Sequence, residues 1–424
     1  MNALAMWTVI VAIVSSVPCA VLGCYLVLRR LSLLGDAISH AVLPGLAIGF
    51  LLTGSLIGWP ILLGAAAAGL LTAVLTQGVH RLANVPEDAS MGVVFTSLFA
   101  IGVILVSRAA SKADLDPGCV LYGLIEFVPL DTVPVFGMEV PRALLTQLPM
   151  LALTVGFVTV LWKELKAAAF DPALAGAMGL RPDLVHYLLM AMVACVTVAA
   201  FEAVGSILVI AMLIVPPATA HLLTDRLARM VWWSAAMAAL ASVLGYLGAE
   251  RWNTSVAGMM AVAAGAQFLI AALVSPRHGV VAKIAGRARL ALRIARQDVL
   301  ADLFRREESE ANGVVVARDV PRVGVSMWVW RWAVCRLASM GLVRREGGRL
   351  QLTDAGRARA RELIRSHRLW ESYLSTRLDL PPDHLHEAAD RMEHFTSAEL
   401  RDELASELAD PGRDPHGRPI PGAP

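Results

Sequence analysis

Long apolar runs separated by short polar punctuation fill roughly the first two thirds of the chain. A helix needs about 20 apolar residues to cross a bilayer. Nine stretches approach that length, near residues 7–28, 38–53, 60–79, 90–107, 142–162, 184–200, 203–221, 230–249 and 255–274. The second and seventh are short, so one could be re-entrant and the count is eight or nine. Between Ala37 and Val79 there is no Asp, Glu, Lys or Arg; from Arg287 onward these residues are interleaved throughout. The pattern predicts an all-α polytopic membrane protein over residues 1–280, then a mainly α soluble part. Residues 281–352 read as a linker and a winged-helix-like domain. It has a helix at 293–306, a second helix from Val325 to Met340 stopped by Gly341, and a small β wing at 342–352 around Gly347-Gly348. Thr353 then caps the long first helix of a helical domain over 353–424.

Composition agrees with this division. Of 424 residues, 57% are hydrophobic and only 17% charged, which is too apolar for an ordinary soluble enzyme. The net charge of +2 selects no partner class. Cys19, Cys24, Cys119, Cys195 and Cys335 form neither a CxxC pair nor a disulfide framework. Residues 7–28 are too long, and lack the basic start, for a signal peptide, so they are expected to be a retained span. Basic residues orient the spans. In a nine-span arrangement Arg29, Arg30, His80, Arg81, Lys163, Lys166, Arg181, Arg226, Arg229 and Arg277 share one side, while Arg108, Lys112, Arg142 and Arg251 lie on the other. That puts the N-terminus outside; eight spans would put it inside. Both leave the C-terminal domain in the cytoplasm.

Ionisable residues inside apolar runs are the first candidates for chemistry, because lipid makes them costly. Asp36 and His40 are four apart and share a helix face. Oxygen and nitrogen ligands of this kind suit Mn²⁺, Fe²⁺ or Zn²⁺. The plainer alternative is that Asp36 caps a helix and His40 bonds a carbonyl. Glu202, in Ala199-Ala200-Phe201-Glu202-Ala203, is either a pathway ligand or a boundary residue. His221, after Pro216-Pro217, reads as an interfacial histidine. In Phe170-Asp171-Pro172-Ala173-Leu174-Ala175-Gly176-Ala177-Met178-Gly179, Asp171 can cap, Pro172 can start and Gly179 can end a short surface helix. It serves either as a connector or as a coupling helix for an ATPase. The chain has no GxxxxGK[ST] phosphate loop and no nucleophile–base pair, so it is not expected to be an enzyme, and any ATP must be hydrolysed by another subunit.

In the soluble part, His367 and Glu371 are four apart, and His386, Asp390, Glu393 and His394 recur mostly at spacings of three and four. Such spacings place nitrogen and oxygen ligands on one side of a helix, as a divalent metal requires. A solvated, charge-paired face is the alternative. The helix Val325–Met340 carries Trp328, Trp330 and Trp332, with Arg331 and Arg336 as its only charges, and Pro321 interrupts the preceding segment. Indoles suit packing better than base contacts, which argues against DNA binding.

The runs Arg29-Arg30-Leu31-Ser32-Leu33-Leu34-Gly35-Asp36-Ala37-Ile38-Ser39-His40-Ala41-Val42-Leu43-Pro44-Gly45, Gly92-Val93-Val94-Phe95-Thr96-Ser97-Leu98-Phe99-Ala100, Phe170-Asp171-Pro172 and Trp252-Asn253-Thr254-Ser255-Val256-Ala257-Gly258 closely resemble permease subunits of bacterial ABC importers for manganese, zinc and iron. The resemblance covers about residues 5–280. It implies a plasma-membrane permease dimer, a separate ABC ATPase pair and an external solute-binding protein. It also implies that Asp36 and His40 line the metal route and that the helix from Asp171, with Pro172, Gly176 and Gly179, couples to the ATPase.

The runs Ser366-His367-Arg368-Leu369-Trp370-Glu371, Leu385-His386-Glu387-Ala388-Ala389-Asp390-Arg391-Met392-Glu393-His394 and Pro415-His416-Gly417-Arg418-Pro419-Ile420-Pro421-Gly422 resemble the diphtheria toxin repressor and manganese-dependent regulator family. By that resemblance His367, Glu371 and His386 form one metal site. Asp390, Glu393 and His394 form a neighbouring one, with Asp298 as a completing ligand. Asp390 replaces the thiol or glutamate of the family, Ala301 replaces a second helix-one acid, and the family's extra C-terminal module is missing. The oxygen-rich set tilts the expected ion toward manganese or iron, with zinc behind them. The expectation is an importer permease carrying a tethered cytosolic metal-sensing domain. A membrane-tethered metal-dependent transcription regulator, or a tail kept only for docking, are the competing readings.

Overall fold

The computed structural model describes every residue except 1–2, 32–33, 54–58, 110–124, 136, 310–314, 317–326, 347–348, 410 and 423–424. The described residues divide into two compact units, Met1–Lys283 and Ile284–Pro424.

The first unit contains α1 (Ala3–Leu28), α2 (Leu34–Ala41), α3 (Leu43–Thr53), α4 (Trp59–Ala83), α5 (Glu87–Ala109), α6 (Arg142–Val160), α7 (Trp162–Phe170), α8 (Pro172–Ala177), α9 (Pro182–Val204), α10 (Ser206–Leu223), α11 (Leu227–Trp252) and α12 (Val256–Val274). A hairpin of β1 (Thr132–Val135) and β2 (Met138–Pro141), with Val133 opposite Val140, precedes α6. Among the described residues eight helices are long and apolar enough to cross a membrane: α1, α4, α5, α6 and α9 to α12. The central one is α1, whose spanning window is 78% buried and whose Leu22, Tyr25 and Leu26 are fully enclosed. Without a hydrophobic drive inside lipid, spanning helices associate through small residues that let backbones approach. A Cβ on Gly45 of α3 would lie 2.1 Å from the Gly64 carbonyl of α4.

Polar contacts align the helix ends. The Arg29 guanidinium donates to the Ala168 carbonyl at 3.1 Å and lies 2.8 Å from His186 Nδ1. Arg81 pairs with Asp183 at 2.6 Å. The C-terminal ends of α1 and α4 therefore both lie where α9 begins. The chain between them runs through α2, α3 and α4. The 11 residues of α3 rise only about 16 Å, half of the about 30 Å hydrocarbon core, and the helical stretch formed by α2 and α3 is broken at Val42. The Arg277–Asp225 pair at 2.5 Å joins the ends of α12 and α10. Glu126 Oε1 accepts the Val256 N–H at 2.7 Å at the opposite end. Gly205 breaks α9 from α10 at φ 80°, ψ 161°, a conformation open essentially to glycine.

In the second unit, α13 (Val280–Ser309) is followed by β3 (Val315–Val316), α14 (Met327–Ser339), β4 (Val343–Glu346), β5 (Arg349–Leu352), α15 (Asp354–Leu378), α16 (Pro382–Glu393) and α17 (Ala398–Glu407). The antiparallel sheet has the order β3-β5-β4. Leu300, Leu303 and Phe304 of α13, Val334 and Leu337 of α14, Val343, Leu350 and Leu352 of the sheet, and Leu363 and Ile364 of α15 form one core. This is the helix and wing order read from the sequence, with a first helix that starts well before residue 293. Pro321 lies outside the described residues. Thr353 Oγ1 accepts the Gly356 N–H at 3.1 Å and donates to the Gly341 carbonyl at 2.7 Å, so one hydroxyl both caps α15 and ties it to the end of α14. Leu369, Leu404 and Ala405 form a smaller core between α15 and α17.

Candidate metal centres

In the stretch broken at Val42, α2 carries Asp36 and His40 one turn apart. The His40 ring is half-buried. It stacks on Phe95 at a centroid distance of 6.1 Å and meets Phe99 edge-on at 5.5 Å. Both phenylalanines sit near the middle of α5, so His40 lies at about the middle depth of the helices. A Cβ on Gly35 would come within 2.2 Å of Leu213 Cδ2, so glycine there lets α2 lie against α10. The side chains of Asp36 and Glu202 lie outside the described residues. The backbone of Glu202 precedes the Gly205 break. His221 stacks with His278 at 6.4 Å, as suits an interfacial histidine. Phe95 and Phe99 are four residues apart in the chain, a spacing that marks a shared helix face but no chemistry of its own.

The short helix α8 is built as its residues dictate. Asp171 Oδ1 accepts the Leu174 N–H at 2.9 Å, Pro172 is the first helical residue, and Gly179 has φ +80° just beyond the end. A Cβ on Gly176 would meet open space. Phe170, Leu174 and Met178 are all exposed around it.

The second unit gathers the remaining candidates. His367 and Glu371 lie one turn apart on α15, and His386, Asp390 and Glu393 share a face of α16, which His394 caps. His367 Nε2 lies 3.0 Å from His386 Nδ1 and 3.1 Å from Glu371 Oε1, and His386 Nδ1 is 3.1 Å from the same oxygen. Three such contacts would need three protons, while two imidazole nitrogens and a carboxylate oxygen offer at most two. A cation satisfies all three atoms at once: neighbouring ligands of an octahedral ion with bonds of about 2.1 Å are about 3 Å apart.

A second group joins α13 to α16. His394 Nε2 is 3.1 Å from Asp298 Oδ1 and 4.0 Å from Glu393 Oε1, and its Nδ1 is 3.0 Å from Gln297 Oε1. Asp390 does not complete this group. Its Oδ1 lies 3.2 Å from His367 Nδ1, and its Oδ2 is 3.7 Å from His386 Nε2. Arg305 is 3.4 Å from Asp390 and 3.9 Å from Glu393. His367 Nδ1 and Glu393 Oε2 are buried 2.7 Å apart but out of hydrogen-bonding alignment, and neither has another hydrogen bond among the described residues. The two atoms thus attract as an ion pair while each lacks a well-aligned hydrogen bond, which is costly for buried polar groups.

A third group comes from the C-terminal turn. Buried Asp414 accepts the N–H groups of His416 and Arg418 at 3.0 and 2.7 Å, and His416 Nδ1 stands 3.7 Å from Glu371 Oε2. The ligand atoms of Glu371, Asp414 and His416 lie within 4.8 Å of one another. Asp414 gave no sequence signal, because a turn lacks helical periodicity. Arg368 anchors this turn, paired with Glu308 at 2.5 Å and donating to the Pro419 carbonyl.

The electrostatics fit a cation. Burial alone would lower His367, but the carboxylates of Asp390, Glu371 and Glu393 outweigh it and raise its pKa to about 10. Burial would raise Glu371; its hydrogen bonds to His367 and His386 instead hold it well below the usual carboxylate range. Asp390 is lowered in the same way, chiefly by His367 against burial, and His394 is raised by Asp298 despite its burial. Protons on His367 and His394, with Arg305, balance the buried acids. A divalent ion would supply the same charge and leave the imidazoles neutral.

Comparison with known proteins covers both units. The ABC 3 transport family matches over residues 1–275. The metal binding and dimerisation domain of the iron dependent repressor family matches over residues 353–422. The chain is 48% identical over 278 residues to the manganese transport system membrane protein MntD of Bacillus subtilis, covering 65% of this chain and 94% of that one. It is 38% identical over 358 residues to the zinc transport system membrane protein TroD of Treponema pallidum, covering 83% and 96%. That alignment is longer than the first unit and so runs on into the second. The solved structure of PsaBC from Streptococcus pneumoniae in complex with Fab is similar at a TM-score of 0.56 and 33% identity, covering 66% of this chain and 94% of that chain.

Proposed function

Because the chain belongs to the ABC 3 transport family, we propose that it is the membrane subunit of an ATP-driven importer for manganese or iron, with zinc as a third candidate, and that its second unit senses the incoming ion. The observation that carries the transport reading is the break at Val42 between α3 and the α2 that bears Asp36 and His40, with the His40 ring against Phe95 and Phe99. Discontinuous crossings lend polar groups to a substrate path while neighbouring helices satisfy the freed backbone. Asp36 and His40 coordinate the ion briefly as it passes, with Glu202 farther along the route. The names of the manganese and zinc relatives support the class of ion.

ATP is hydrolysed by a separate subunit that takes α8 into a surface cleft, where Phe170, Leu174 and Met178 are buried. A second permease copy and an extracytoplasmic metal-binding protein complete the assembly. The end that gathers Arg29, Arg81, Lys163, Lys166 and Arg277 is the cytoplasmic one by the basic-residue rule. The N-terminus is then outside and the second unit in the cytoplasm of a bacterial cell. There His367, Glu371, His386 and Asp390 form one ion site, and Asp298, Glu393 and His394 form the other. As cytosolic metal rises the sites fill and restrain the permease. Transport relatives favour this over a membrane-tethered transcription regulator.

The test is uptake of radiolabelled Mn²⁺ by cells carrying Asp36→Ala or His40→Ala. Groups outside the ligand shell already cost ten- to a hundredfold when removed, so uptake should fall at least about tenfold with the protein present at its normal level. Uptake at the unaltered rate would overturn the reading.

A further inference from the structure

The outer face of α14 is strongly apolar and strongly basic at once. Trp328 is 81% exposed, and Trp332, one turn on, 43%; Met327 is exposed beside them. The opposite face supplies Ala333, Val334 and Leu337 to the core. Arg331 and Arg336 flank the indoles and are exposed, and β4, packed against α14, adds exposed Arg345. No acidic residue occurs between Met327 and Arg345. Singly exposed apolar residues need no explanation, but two adjacent indoles in a soluble unit mark a binding surface. The face lies outside the residues 353–422 that match the dimerisation domain.

We propose that this face docks on the anionic phospholipid surface of the bilayer that carries the first unit. Three arguments select lipid. Indoles favour the headgroup layer, where an apolar ring and a polar N–H are both accommodated. Arginines on a helix that carries no acidic residue complement anionic headgroups. The chain also supplies its own membrane: α12 ends at Val274 and α13 begins at Val280, so the second unit is tethered to the bilayer at high effective concentration. A helix that reads DNA needs polar side chains aimed at base edges, and at these positions the chain has tryptophan.

Cys335 is an exposed free thiol on the same face, three residues beyond Trp332. It provides the probe. The full chain, with the other cysteines changed to alanine and a nitroxide on Cys335, is reconstituted into bilayers of phosphatidylcholine with and without phosphatidylglycerol. The nitroxide's collisions with oxygen, which concentrates in lipid, are compared with its collisions with a water-soluble nickel chelate. In anionic bilayers the ratio should shift several-fold toward oxygen, and salt or the Trp328→Ala/Trp332→Ala pair should abolish the shift. Equal ratios in both bilayers would overturn the proposal without any variant. So would protection of the probe by double-stranded DNA when lipid gives none, which would assign the face to nucleic acid.

Discussion

At the scale of single residues, the second unit rests on an imidazole that is buried and charged at once. Taking His367 out of water disfavours its proton, yet three carboxylates within reach keep it there. Its folded pKa of about 10 lies above the about 6.5 of an unfolded histidine. Protonation therefore steadies the metal-free tail fully below about pH 6.5, and that contribution is lost as the pH rises toward about 10. Thermal melts of the chelated protein should fall over this window. The same proton must leave when an ion binds, so calorimetry of Mn²⁺ binding near pH 7 should give an enthalpy that tracks the buffer's ionisation. Affinity should rise by up to about tenfold per pH unit for each proton displaced. A buffer-independent enthalpy would mean His367 is not a ligand. The ligand types and their spacing of four were legible in the chain. The turning of Asp390 toward His367 was not, because it depends on how α16 sits against α15.

At the scale of elements, two features bear on function: a close helix contact and a surface helix. Gly45 and Gly64 bring α3 and α4 together carbonyl to Cα. Gly45→Ala would insert a methyl at 2.1 Å from a carbonyl oxygen, which no rotamer change relieves. Overpacking of this kind costs about 1–3 kcal/mol, and a lowered melting temperature in detergent, with reduced uptake, should follow. The surface helix α8 is the second. Its cap, start and stop were readable in Asp171-Pro172 and Gly179 because these are local signals. Its exposed Leu174 and Met178 required the fold. Leu174→Ala with Met178→Ala should leave folding intact and release the ATPase on co-purification by at least about tenfold, since buried apolar anchors at an interface centre are commonly worth 2 kcal/mol or more. An undiminished ATPase yield would exclude α8 as the coupling element.

At the scale of the whole molecule, one chain joins a unit of the ABC 3 transport family to a unit that gathers metal-ligand types. If the tail restrains transport, His367→Ala with Glu393→Ala should leave uptake unchanged in metal-starved cells and raise it several-fold in metal-loaded cells, measured as initial rates with radiolabelled Mn²⁺. Equal rates in loaded wild-type and variant cells would remove the feedback role while leaving the permease assignment standing. The division into an apolar and a charged half, the apolar runs long enough to span a bilayer and the helical ligand spacings were already determined by the amino-acid sequence. Each follows from a local rule: lipid thickness sets the length of an apolar run, and helical pitch sets which residues share a face. Only the tertiary structure decided that the apolar stretch at 38–53 is broken at Val42 into α2 and α3, and that the ends of α1 and α4 both lie where α9 begins, through Arg29 meeting Ala168 and Arg81 meeting Asp183. Only the fold, likewise, brought Asp298 to His394 and the Asp414 turn to Glu371. Those contacts join residues far apart in the chain, and no periodicity records where a distant element comes to rest.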